Sequence, residues 1–382
     1  MSSKRTQIWF YALAAFVVAP LIAPTILRAQ EKAPWKIVSW ASAVGPQAAS
    51  FDFLAGLQSF LTFINANGGL AERKFSLRTL EVDDGHPDFA RNLDSLIIQG
   101  QPDLVVGGSS QNRGPATAEY FRRVARPWFG PWTDNPGVYG GGDDDPVGLL
   151  PSAPVELNLL LEWAKDRVPA GRAIYFILED GPEAQTQGAL ARARARALEL
   201  NLAVISLEIG FRDWEGLAAR LPDPGAVIVW TNLGPAAAIR RALAHSLPDG
   251  VFWMTHSLNA PSAEMVALTA GRWAGTIFPA VLRPTAEISE AYGVVLRKFS
   301  PAGVKENYRT LLGFGQGQLL ARAIVDATSK SQGRAGDILR SFRELSPAGT
   351  VVSGVSLPSA PMDPGGAYLA QVDARGGWAP LP

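Results

Sequence analysis

The chain has 382 residues, 47% of them hydrophobic, and its 35 Lys+Arg offset 35 Asp+Glu, as expected of a globular protein large enough for two domains. That neutral balance gives no electrostatic reason to bind nucleic acid or an anionic membrane. Cysteine is absent, which excludes disulfides, thiolate metal sites, cysteine catalysis and a cysteine-linked lipid anchor.

At the N-terminus, Lys4 and Arg5 precede an apolar run from Ile8 to Leu27, and Arg28-Ala29-Gln30-Glu31 follows. This is the pattern of an export signal over residues 1–30, cleaved near Ala29 or Gln30, with the mature protein in the periplasm or secreted. About 20 apolar residues could also span a bilayer as a permanent anchor. Pro20 and Pro24 in the run, and the charged sequence that follows at once, favour cleavage.

Beyond the signal, WKIVSW (35–40) predicts a strand. FDFLAGLQSFLTFINANGG then predicts a helix, with Phe53, Leu57, Phe60, Leu61 and Ile64 at helical spacing and Gly68-Gly69 as its stop. FSLRTLEVDD alternates like a half-exposed strand, PDFARNLDSLIIQG is helical by period, and PDLVVGG is a buried strand ending in glycines. A fourth strand ends at Phe129. After the loop holding GGGDDDP, a second series of alternating helices and strands runs from Val155 to His256. The order β-α-β-α-β predicts parallel sheets covered by helices, with ligands beyond the carboxyl ends of the strands.

The string INANGGLAERKFSLRTLEVDDGHPDFARNLDSLI followed by DLVVGGSSQ resembles the N-terminal lobe of type I periplasmic solute-binding proteins of ABC transporters, in their branched-chain (leucine/isoleucine/valine) amino-acid-binding branch. YRTLLGFGQGQLLARAIVDA is similar to that family's late helix, and GTVVSGVSLPSAPMDPGGAYLAQVDARGGW to its closing hairpin. The resemblance implies an α/β fold of two Rossmann-like lobes with three crossovers, near residues 150, 278 and 335. Lobe 1 would comprise residues 31–150 and 279–335, and lobe 2 residues 151–278 and 336–382. The implied partners are a small-molecule ligand and an inner-membrane permease, with the chain a monomer. A sensory module of the same fold feeding a receptor is the competing expectation.

The same resemblance places the ligand's carboxylate on the hydroxyls and helix-terminal amides of Ser109, Ser110, Pro131 and Thr133. Hydroxyls and free N–H groups at a helix start suit an anion, although N-capping and turn formation explain the same residues. Trp40 and Trp132 are expected as aromatic walls. On the second lobe, Gln185, Asn232 and His256 fall after strand ends, and His256 stands where amino-acid binders of the family present an acid to the ligand's ammonium. A neutral imidazole compensates a cation poorly, so the expected solute is carboxylate-bearing or aromatic without an essential ammonium. Asp83 and Asp84 read as scaffold at a strand end.

Other motifs carry no chemistry. The three histidines form no HExxH pattern, and neither a nucleophile elbow nor a P-loop is present, so neither catalysis nor a cofactor is expected. GGGDDDP does not match the calcium-loop spacing, and ARARARALEL is a solvated helix rather than a strand.

Overall fold

The computed structural model describes residues 32–42, 49–82, 84–109, 113–139, 142, 145–181, 184–259, 261–282, 285–331, 333–346, 350–352 and 366–382. The expected export signal, Asp83 and Ser110 lie outside them, as does much of the stretch expected as a closing hairpin. Among the described residues, no helix is long and apolar enough to cross a membrane.

The first sheet contains β1 (Trp35–Ala41), β2 (Phe75–Glu81), β3 (Leu104–Val106) and β4 (Trp128–Phe129), in the order β2-β1-β3-β4 and parallel throughout. Helices α1 (Ala49–Ala66), α2 (Phe89–Gly100) and α3 (Gly114–Arg123) connect them. The second sheet contains β5 (Ala173–Glu179), β6 (Leu202–Leu207), β7 (Pro224–Trp230), β8 (Phe252–Thr255) and β9 (Ile277–Ala280). Its helices are α4 (Ala153–Arg167), α5 (Ala184–Ala197), α6 (Trp214–Ala219), α7 (Leu233–Leu243) and α8 (Ala263–Leu268). The order β6-β5-β7-β8 repeats that of the first sheet, so each lobe has a topological switch point beside its first strand. The molecule is thus two Rossmann-like α/β lobes.

The sequence patterns follow from this layering. All seven residues of β7 are buried, because helices cover both faces of a central parallel strand. β2 lies at the sheet edge, with Ser76, Arg78, Thr79 and Glu81 exposed and Leu77 and Leu80 partly buried, so the expected alternation slips at Arg78-Thr79. Asp84 is buried and its carboxylate accepts the Arg113 backbone N–H at 3.0 Å, so this residue ties two loops together. α3 has no counterpart among the predicted elements: its Asn-Arg-Gly-Pro start reads as a turn, yet Pro115 sits in the first turn, where a missing N–H costs nothing.

After β9 the chain returns to the first lobe as α9 (Thr285–Phe299) and α10 (Tyr308–Lys330), which pack on α1. α11 (Ala335–Glu344) then packs on α10, and its Phe342 meets Phe129 at 5.5 Å. The passage expected near residue 335 therefore falls beyond Glu344, because Ile338, Leu339 and Phe342 are buried on the first lobe. The chain ends in the antiparallel strands β10 (Tyr368–Val372) and β11 (Trp378–Pro380), which extend the second sheet from β9.

α1 and α10 approach most closely where Gly56 faces Gly313. A Cβ on Gly313 would stand 1.8 Å from the Phe53 carbonyl oxygen, and one on Gly56 1.9 Å from that of Thr310. Beside this crossing, the Arg309 guanidinium is 1% exposed and its Nη2 lies 3.0 Å from Asp52 Oδ2, which also accepts from Asn307 Nδ2 at 2.9 Å.

Candidate functional site between the lobes

The carboxyl ends of the two sheets bring four loops together. On the first lobe, β3 runs through Gly107 and Gly108 into Ser109, where the Gly108 carbonyl accepts the Trp132 N–H at 2.9 Å. The Trp40 indole N–H donates to the Ser109 carbonyl at 2.7 Å. A Cβ on Gly108 would fall 2.4 Å from the Trp40 ring, so glycine is required for the loop to lie on it. The Trp40 ring itself is enclosed by Phe89, Phe121 and Trp128. It supports the Ser109 loop from beneath.

β4 leads through Gly130 and Pro131 to Trp132, Thr133, Asp134 and Asn135, all buried. Trp132 packs its ring on Phe53 at 5.3 Å. Thr133 Oγ1 accepts the Asn135 N–H at 3.1 Å, and its carbonyl accepts the Tyr139 hydroxyl at 3.1 Å. Burial and then the Asp134 carboxylate push the Tyr139 phenol up from its ordinary range.

On the second lobe, β7 ends at Trp230, just before Thr231, and β8 is followed by His256 and Ser257. The Thr231 carbonyl accepts two donors, Asn259 Nδ2 at 2.8 Å and His256 Nε2 at 3.0 Å. The imidazole stacks on the Trp230 ring, 5.0 Å away at 21°. Glu156, in the first turn of α4, accepts the Ser257 N–H at 2.8 Å and the Ser257 hydroxyl. Burial, then the nearby Asp134 carboxylate, hold its carboxyl well above the usual range, against the two bonds from Ser257.

The lobes meet where these loops converge. Asp134 Oδ2 of the first lobe lies 3.4 Å from His256 Nδ1 of the second, with both side chains 5% exposed. One ligand atom from each of Asp134, Glu156 and His256 lies within 4.8 Å of the others. The Ala153 N–H, at the start of α4, donates to the Asp134 carbonyl at 2.7 Å and fixes the passage between the lobes.

The sequence profile of a family described as "Periplasmic binding protein" matches residues 34–376 of this chain. The chain is a periplasmic binding protein.

No curated protein matches it closely enough to report. Among solved structures, a branched-chain amino-acid ABC transporter protein from Thermus thermophilus with bound valine is 15% identical, with 93% of this chain and 96% of that one covered and a TM-score of 0.76. A possible leucine/isoleucine/valine-binding protein from Rhodopirellula baltica is 15% identical over 94% and 98% of the two chains, with a TM-score of 0.77. A fatty acid ABC transporter substrate-binding protein from Thermomonospora curvata is 13% identical over 90% of each, with a TM-score of 0.75. At these identities the likeness establishes the shared fold, and the roles named are binding rather than catalysis.

In this periplasmic binding protein, Ser109, Pro131, Trp132 and Thr133 stand together at the carboxyl end of the first sheet, and His256 reaches them through Asp134. Asn232 is half-buried at the N-cap position of α7. It hydrogen-bonds Glu179, whose carboxyl is pushed up by burial and drawn back by those bonds. Gln185 is exposed in the first turn of α5, apart from the cluster. Asp134 and Glu156 were not among the expected site residues. Asp134 reads as a turn residue in WTDN. Glu156 reads as a solvated helix acid, but it lies three residues after Ala153 and four before Leu160, on the buried stripe of α4. A polar residue in an apolar helical stripe is the signal that would have found it.

Proposed function

We propose that this protein is the substrate-binding component of an ABC importer, working in the periplasm and handing its solute to an inner-membrane permease. The solute is small and polar or carboxylate-bearing, amino-acid-like or aromatic. It binds where the loops after β3 and β4 meet those after β7 and β8, and the lobes close on it about the inter-lobe passages. The observation that supports this most is the convergence of buried polar groups from both lobes, Ser109, Thr133 and Asp134 against Thr231 and His256, at the carboxyl ends of two parallel sheets. His256 does not stand alone in place of an acid, since Asp134 and Glu156 are beside it. An amine-bearing solute is therefore admitted with its deaminated analogues.

Calorimetric titration with a panel of amino acids, their deaminated analogues and aromatic acids tests this. At least one should bind saturably, and Thr133→Ala should weaken that binding by about 1–3 kcal/mol, the scale for losing a hydrogen bond to a charged group. Small-angle scattering should show compaction with saturating solute, because a ligand touching both lobes favours the closed state by its differential affinity. Identical profiles would count against the hinge.

The export reading has its own check. Protein recovered from a periplasmic fraction should begin near residue 30 or 31 by mass spectrometry. An intact Met1 found in membranes would refute cleavage.

A further inference from the structure

We propose that Asp134, Glu156 and His256 form a site for a first-row divalent cation of the zinc type, shared between the two lobes. The argument starts from the imidazole. Its Nε2 faces the Thr231 carbonyl at 3.0 Å, and a carbonyl can only accept, so Nε2 carries the ring hydrogen. In the neutral ring, Nδ1 is then a lone pair pointing at Asp134 Oδ2, another acceptor, 3.4 Å away. Among the described residues neither atom has a hydrogen-bond partner, and both are buried. Two acceptors facing each other in a dry site need a positive centre between them.

The spacing selects the kind of centre. With metal bonds of about 2.1 Å to His nitrogen and carboxylate oxygen, a separation of 3.4 Å corresponds to a ligand–metal–ligand angle of about 108°, near the tetrahedral value. An ammonium nitrogen about 2.8 Å from each atom would see them about 75° apart, bending its hydrogen bonds away from linear, so the spacing matches a metal's tetrahedral angle better. Imidazole with two carboxylates suits zinc-like ions, whereas calcium and magnesium prefer all-oxygen sites.

The surroundings fit as well. A metal-bound imidazole ordinarily donates its other N–H to a backbone carbonyl or carboxylate, as His256 does to Thr231. Glu156, the third ligand, is fully buried, and among the described residues neither it nor Asp134 has a Lys or Arg partner. A dication would compensate the charge of the Asp134 carboxylate. Since Asp134 comes from the loop after β4, and Glu156 and His256 from the second lobe, the cation would also tie the lobes together.

The test uses the full mature chain, stripped with a chelator and titrated calorimetrically with zinc chloride, with no solute present. One zinc per chain should bind with micromolar or tighter affinity, and Asp134→Asn and His256→Gln should each weaken it at least about tenfold. Cobalt substitution should give a visible absorption band that disappears in His256→Gln. Should those variants fail to fold, the double variant His86→Gln/His245→Gln removes the two exposed imidazoles and leaves His256 as the one remaining. It should bind zinc as the parent does, and its single set of imidazole resonances should shift on adding zinc. Saturation only at millimolar zinc, unchanged affinity in Asp134→Asn and His256→Gln, or unshifted resonances in the double variant would overturn the proposal, the first leaving a shared proton as the positive centre. Zinc alone is the probe, so the outcome is independent of the solute reading.

Discussion

Arg309→Ala should lower folding stability by about 3 kcal/mol, within the range for removing one partner of a buried ion pair. The guanidinium is 1% exposed and bonds Asp52 through both Nε, at 3.1 Å, and Nη2, at 3.0 Å. Asp52 is 24% exposed, so water partly screens the carboxylate left behind, which places the loss at the lower end of that range. The pair joins the first turn of α1 to the first turn of α10, elements far apart in the chain, so its loss should lower the denaturant midpoint cooperatively. Combining Arg309→Met with Asp52→Leu should recover part of the stability, because no unpaired charge remains. A single variant within about 0.5 kcal/mol of the parent would show that solvent satisfies Asp52 once the guanidinium is gone.

Gly313→Ala should cost about 2–3 kcal/mol, although alanine is the better helix former by about 1 kcal/mol. The new Cβ would stand 1.8 Å from the Phe53 carbonyl oxygen, a backbone atom that can retreat only if α1 and α10 separate. Gly336→Ala is the control. In α11 no atom of the described residues lies within 4 Å of its added Cβ, so the same substitution should be neutral or stabilising there. Thermal melts of the two variants should therefore move apart. Equal shifts would mean that the helix crossing adapts and that propensity alone governs both positions.

The two positions also show how far the amino-acid order reaches. YRTLLGFGQGQLLARAIVDA is expected as a helix from its resemblance to the family's late helix, and the structure has it from Tyr308 to Lys330, with an Asn307 capping box at its start. Its three glycines look like defects in a linear reading. Tertiary contacts make them necessary: Gly313 and Gly317 lie against Phe53 and Phe60 of α1, and Gly315 against Val351 and Val352. The alternation in FSLRTLE was legible as a half-exposed strand, but that β2 is the edge of its sheet depends on which strands it pairs with.

The site divides in the same way. Thr133 and His256 were legible as residues just beyond strand ends, because strand periodicity and the turn residues after it are local properties. Trp40 was legible as aromatic beside that region but not as enclosed, since Phe89, Phe121 and Trp128 reach it from three other elements.

By itself, the sequence determined the alternation of strands and helices, the positions of the loops at the carboxyl ends of the strands and the family to which the chain belongs. The first two rest on spacing along the chain, which side-chain periodicity and turn chemistry report directly, and the family rests on the resemblance of its ordered motifs. Only the tertiary structure decided that Asp134, Glu156 and His256 share one dry junction between the lobes. They stand on a loop of the first sheet, a helix after the first passage and a strand end of the second sheet. Their proximity, and the loss of solvation that sets their electrostatics, exist only when the lobes pack.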